Sequence, residues 1–129
     1  MVEQRTHERT SERYVGRPIT IEDGRAVIEL ETTDEMAVDE YDLVHGGFVF
    51  GAADYAAMLA VNEPTVVLVG AETSFTAPTT VGDTIRATAT VDEDADGLVV
   101  QCEVETVEEG DRVFVGTFEC AVPDEHVLA

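Results

Sequence analysis

The sequence predicts an α+β fold in which a curved antiparallel sheet wraps around one long apolar helix. From Gly46 to Val61 the chain reads GGFVFGAADYAAMLAV, where only Asp54 and Tyr55 carry a polar group. Such a run is too long for an ordinary strand and too rich in alanine to favour one, so it reads as a helix of about 24 Å. After it come four runs rich in β-branched residues: TVVLVGAETSFTA, TIRATATVDE, LVVQCEVETV and RVFVGTFECAV. Turn residues at Pro78, Val81-Gly82-Asp83, Asp96-Gly97 and Glu109-Gly110 break them into strands. A helix that is hydrophobic nearly all round must be enclosed, and a twisted antiparallel sheet can enclose it.

Residues 2–13 read as a polar helix, with Arg5, Arg9 and Arg13 spaced four apart and Glu8 and Glu12 between them. Residues 1–16 would then be an N-terminal helical segment of a single domain spanning 1–129. PITIEDGRAVIELET follows, two alternating runs about Asp23-Gly24, a hairpin signal. An acidic loop, TTDEMAVDEYD, leads into the apolar helix, which Asn62-Glu63-Pro64 ends. In the third strand Val100, Cys102 and Val104 share one face and Gln101, Glu103 and Glu105 the other, so the sheet has a wet side. Pairing the last two strands through Glu109-Gly110 sets Cys102 opposite about Thr117 and Cys120 opposite about Val99. That register cannot form a disulfide, so both are expected to be reduced, buried thiols.

The chain has 129 residues, enough for one core, and 44% are hydrophobic, as in ordinary globular proteins. Its charge is unusual: 28 Asp and Glu stand against seven arginines, with no lysine, giving −21. The acids are spread among patterned apolar segments, so they form a solvated shell rather than a disordered tail. Such a shell repels itself unless screened, and the Debye length falls to about 3 Å at 1 M salt. The composition therefore reads as that of a salt-in halophile. Nucleic acid is excluded as a partner, because phosphate binding needs clustered basic charge. No long uncharged apolar run exists and the N-terminus is charged, so a cytoplasmic protein with no membrane association is expected.

An ionisable group in the middle of the most apolar segment marks Asp54 as functional. His45-Gly46-Gly47-Phe48 precedes it, with Asp54 nine residues after the histidine, and Phe75-Thr76-Ala77-Pro78-Thr79-Thr80-Val81-Gly82-Asp83 comes later. Together these stretches, from Val44 to Asp83, resemble the hotdog-fold acyl-CoA thioesterases, in particular the type from phenylacetate degradation. In that family His-Gly-Gly, six variable residues and Asp lie in the central helix, and Phe-x-x-Pro-x-x-x-Gly-Asp joins two later strands. The resemblance implies hydrolysis of an aryl- or short/medium-chain acyl-CoA to free acid and coenzyme A, with no cofactor. It implies Asp54 as nucleophile or general base, and Gly47 N–H at the helix start polarising the thioester carbonyl. His45 is placed with them, shaping the turn by hydrogen bonding. Candidate substrate contacts are Gly46, Phe48, Tyr55, Thr73, Ser74 and Arg86, the last for coenzyme A phosphates.

Seven residues of helix separate Gly47 from Asp54 by about 10.5 Å, too far for both to touch one carbonyl. Two antiparallel helices in a C2 dimer solve this by facing Gly47 of one subunit with Asp54 of the other. A homo-oligomer is therefore expected, a dimer or a dimer of dimers. The sequence departs from the family in the loop before His45, where Asp39, Glu40 and Tyr41 stand in place of a frequent Asn. Three histidines and two cysteines show no metal-ligand spacing. Ser11 and Ser74 are the only serines and no G-x-S-x-G elbow exists, which argues against a serine hydrolase. The alternative reading is a non-catalytic acyl-CoA-binding hotdog protein, a sensor or metabolic partner.

Overall fold

The computed structural model describes residues 1–129. A one-turn helix α1 (Glu12–Val15) precedes a hairpin of β1 (Arg17–Glu22) and β2 (Arg25–Glu31), then helix α2 (Gly46–Val61). Four strands complete the chain: β3 (Val67–Phe75), β4 (Thr84–Val91), β5 (Val99–Thr106) and β6 (Arg112–Ala121). They form one antiparallel sheet in the order β1-β2-β4-β5-β6-β3. The predicted α+β architecture is the observed one, with α2 packed against the sheet.

Helix α2 has the bounds its sequence sets. It ends where Asn62 turns left-handed (φ 53°) and donates its N–H to Met58 O, a conformation that Asn tolerates better than most residues. Ala52, Ala53, Ala56, Ala57 and Ala60 are all buried, and their small side chains let the strands come close. Ile28, Leu30, Ile85, Val104 and Phe118 reach the same core from the sheet, each at most 1% exposed. Full burial of such a side chain contributes about 1.5–3 kcal/mol, so this contact is the main stabilising feature. No helix is long and apolar enough to cross a membrane.

The N-terminal helix over 2–13 does not form; only Glu12–Val15 is helical. The preceding residues run as a strap, antiparallel to α2. Val2 N–H donates to Ile21 O at the open side of β1. Asn62 then clasps the strap, its Nδ2 donating to Glu3 O and its Oδ1 accepting from Arg5 N–H, both at 2.8 Å. Farther along, Gln4 Nε2 donates to Tyr55 OH at 3.2 Å, and Tyr14 lies with its ring centroid 6.1 Å from that of Phe48. Charge spacing suggested a helix, but a solvated helix of that length is marginal alone, whereas the strap covers the side of α2 that the sheet leaves open.

The β5–β6 register also differs from expectation by one residue. Cys102 faces Gly116 and Val99 faces Glu119, because a bulge lies between Val104 and Glu105 and the turn is longer than two residues. Both cysteines are free and buried. The two sheet edges contrast. Both carry a bulge, but β1 also has Pro18 and is partly capped by Val2, while β3 offers nine residues with no proline, with Val69 61% and Phe75 54% exposed.

Candidate active site

The helix start is a fixed point. His45 N–H donates to Met36 O and Val44 N–H to Thr79 O, each at 2.8 Å, which ties the incoming loop to its neighbours. His45 is the N-cap, and its Nδ1 accepts from Gly47 N–H at 2.8 Å. The two glycines make room for rings: a Cβ on Gly47 would lie 2.9 Å from His45 Nδ1, and one on Gly46 would lie 3.1 Å from Phe75 Cε1. The two sequence motifs therefore meet in space. At the far end of the second, Asp83 Oδ2 accepts from Thr80 N–H at 2.9 Å and holds the turn.

The two N–H groups at the helix start differ in the case of Gly47. Its N–H is already taken by the cap, whereas the N–H of Gly46, the first helical residue, has no acceptor within the chain. Gly46 opens onto an apolar cavity of about 210 Å³, which Leu43, Val49, Phe75, Ala77 and Val113 help to line.

Asp54 lies elsewhere. It faces a cleft of about 460 Å³ lined also by Thr6, His7, Met58, Thr65, Leu68 and His126. Its Oδ1 is buried without a hydrogen-bond partner. Burial pushes the carboxyl up from 3.8 to about 6, so it changes charge close to neutral pH, as a proton-transferring group should. Burial likewise lowers the His7 imidazole below its ordinary value. The thiols nearby are inert: burial, with the charges of Glu103 and Asp54 adding to it, pushes Cys102 up to about 12, and burial with Asp54 pushes Cys120 up to about 11.

The other expected site residues scatter. Tyr55 is buried beneath the strap, its hydroxyl accepting from Gln4. Phe48 is half-buried, packed against His45 and Tyr14. Thr73 and Ser74 sit on exposed β3, beside a separate trough of about 670 Å³ that Thr88, Gln101 and Thr117 also line. Within one chain they do not share the Asp54 cleft. Arg86 is committed to its cross-strand neighbour Glu29, whose Oε2 accepts from Nε at 3.0 Å and Nη2 at 2.7 Å. No three His, Cys, Asp or Glu side chains converge closely enough to hold a metal ion. Sequence reasoning missed His7 and Thr6, because nothing local marks them; their position follows from how the strap crosses α2.

No protein-family model matches the chain. Over 114 residues it is 46% identical to a methylthioribose-1-phosphate isomerase of Aquifex aeolicus (strain VF5), a match covering 88% of this chain and 25% of that protein. The chain thus spans about a quarter of the length of this curated relative. The Escherichia coli PaaI protein from the phenylacetic acid degradation operon is 25% identical, with a TM-score of 0.76 over 85% of this chain and 80% of that one. A Streptococcus mutans protein, smu.793, solved bound to acetyl CoA, shares the fold with a TM-score of 0.78 at 20% identity, over 93% of this chain and 97% of that one. The uncharacterized protein PH1136 of Pyrococcus horikoshii is 56% identical and superposes with a TM-score of 0.94, covering 99% of this chain and 98% of that one. At that identity over almost the whole of both chains, the protein belongs to the hotdog-fold family of which PH1136 is a member.

Proposed function

We propose that the protein is an acyl-CoA thioesterase that hydrolyses an aryl- or short/medium-chain acyl-CoA to free acid and coenzyme A at a site shared by two subunits. The observation that carries this reading is Asp54: a carboxylate inside the most apolar helix, with one oxygen buried and unpartnered, and poised to titrate near neutrality. Leaving such a group unsatisfied costs a few kcal/mol, a cost that function explains and packing does not. Asp54 serves as base toward water or as nucleophile, and the start of α2 polarises the thioester carbonyl, with Gly46 N–H as its free donor. The cavity beside Gly46 takes the acyl group. At about 210 Å³ it suits one aryl ring, since a cavity of about 150 Å³ holds benzene.

Two features support the shared site. Asp54 and Gly46 open onto different cavities of one chain, so each needs a complement from outside it. Edge strand β3, long and partly apolar, can pair with its copy in a second subunit and bring the helices side by side. A coenzyme A substrate is supported by the fold shared with the S. mutans protein bound to acetyl CoA. The acidic shell fits work in concentrated salt, where phosphate contacts weaken and recognition rests on burial of the acyl and pantetheine groups. The test is release of free thiol from a panel of aryl-, short- and medium-chain acyl-CoAs in about 2–3 M potassium chloride, where screening is nearly complete. Turnover by the wild type, with none by a folded Asp54→Asn variant, supports the reading; no turnover on any member overturns it.

A second reading is favoured by one observation. The related segment of the A. aeolicus protein is a quarter of a longer chain named as an isomerase, so a unit of this kind can serve beside another enzyme. The protein would then bind an acyl-CoA without hydrolysing it. Calorimetry showing tight acyl-CoA binding, with thiol release absent from wild type and Asp54→Asn alike, would favour it.

A further inference from the structure

The strap brings a histidine to the Asp54 cleft that the proposed function does not use. His7 lines that cleft together with Asp54. Its backbone is left-handed, with φ 55°, an uncommon state for a side chain of this size, which the surrounding contacts must hold in place. Those contacts are visible. Thr6, 6% exposed, brings its Oγ1 to within 2.9 Å of His7 Nδ1; Gln4 Nε2 donates to the backbone carbonyls of Thr6 and His7; and Asn62 anchors the strap below. The ring lies 6.4 Å from that of Tyr55. Its Nε2 has no protein partner.

We infer that His7 positions the attacking water in the Asp54 cleft, its Nε2 accepting a hydrogen bond from one O–H while the Asp54 carboxylate takes the proton of the other. This deepens the proposed thioesterase reading and rests on it. In the tautomer whose Nδ1–H donates to Thr6 Oγ1, Nε2 keeps its lone pair for the water. Burial lowers the imidazole's pKa, which favours the neutral ring that this role needs. The steps balance. The water oxygen bonds to the thioester carbonyl carbon as one proton passes to Asp54; the C–S bond then breaks, and Asp54 returns that proton to the departing thiolate. The products are an acid and a thiol, and His7 ends in its starting state. The titratable groups about Asp54 are His7, His126, Cys102 and Cys120. Both thiols are buried, and His126 is exposed, its Nδ1 accepting from Leu128 N–H in its own tail. His7 is therefore the ring suited to the role.

The test uses His7→Gly, which keeps the left-handed backbone free of strain, and His7→Gln, whose amide oxygen can reach where Nε2 stood. Melting temperature and oligomeric state are checked for each, and Asp54→Asn is assayed alongside. The expected result is a fall in kcat of about a hundredfold for His7→Gly with KM changed less than about twofold, partial recovery in His7→Gln, and restoration of His7→Gly by added imidazole. Wild-type turnover that needs Asp54 yet survives His7→Gly unchanged overturns this inference and leaves the thioesterase reading standing. A loss in His7→Gly that neither glutamine nor imidazole recovers assigns His7 to packing and also overturns it. No wild-type turnover removes the reading and the inference together.

Discussion

Gly47 donates its N–H to His45 Nδ1 at 2.8 Å, and a Cβ on Gly47 would come within 2.9 Å of that same nitrogen. The cap and the glycine are one device. Gly47→Ala should push the imidazole away, and His45→Ala should remove the acceptor; each is expected to cost about 1 kcal/mol, the usual value of a helix cap. Because both variants destroy the same bond, the double variant should lose less than the sum of the two. Urea denaturation of the three proteins checks this, and full additivity would contradict it.

Asp54 sets two pH dependences of opposite character. Its carboxyl titrates near 6 in the folded protein, against 3.8 for the ordinary group, so the folded state holds the proton more tightly than the unfolded chain does. The corresponding stability is full below about pH 4 and lost as pH rises through 6, an effect of about 3 kcal/mol at most. Asp54→Asn, neutral throughout, should therefore melt higher than the wild type above pH 6 and converge with it near pH 4. Activity should run the other way, rising through about pH 6 as the reactive carboxylate forms. A variant less stable than the wild type at pH 8 would contradict the burial account.

Exposed β3 predicts a dimer that can be broken without touching the core. Val69 and Ala71 lie on the open edge strand, and lysine at both positions is the kind of charge that blocks edge pairing. Sedimentation should show monomer for the Val69→Lys, Ala71→Lys protein, with a normal far-ultraviolet circular dichroism spectrum. Thioesterase activity should fall by about a hundredfold or more, since each site loses the donor from the other subunit. A monomer with wild-type activity would place the whole site within one chain.

Salt should govern stability. Only Glu22, Glu29, Glu35, Glu63 and Glu103 meet an arginine, out of 28 acidic side chains, so most negative charge on the surface is uncompensated. Raising potassium chloride from about 0.1 M to 2 M should raise the melting temperature by about 10 °C or more, most of it below 1 M where screening changes fastest. A melting temperature independent of salt would count against the halophilic reading.

The central helix was legible in the sequence because its signal is local: an apolar run, a capping His-Gly-Gly and the Asn62-Glu63-Pro64 stop. The strands were legible for the same reason, and Asp54 stood out as a charge with no business in that run. The strap was not legible. Its arginine spacing mimics a helix, while the bonds that fix it, from Asn62 to Glu3 and Arg5 and from Gln4 to Tyr55, join residues more than 50 positions apart. One signal pointed to it: a helix apolar all round needs a cover on the side that a single sheet leaves open. The register was missed because the chain turns through residues 107–110 rather than through Glu109-Gly110 alone, and the bulge at Val104–Glu105 recovers only part of that shift, neither of which turn chemistry alone reveals. Arg86 stood out as a cation in an acidic chain, but the sequence hid that Glu29 lies directly across from it.

The account stands or falls on a site built from Asp54 of one subunit and the helix start of the other. Gly46→Pro deletes the free N–H at a position where proline suits the first helical turn, and His45, at φ −59° and ψ 129°, already has the conformation proline demands of its predecessor. Each variant alone, Gly46→Pro or Asp54→Asn, should be inactive as a homodimer. Co-expressed, they form hybrids in which one of the two sites is intact, so activity should return to about a quarter of the wild-type level under random pairing. No activity in the purified hybrid, with both parents folded and dimeric, would contradict the shared site.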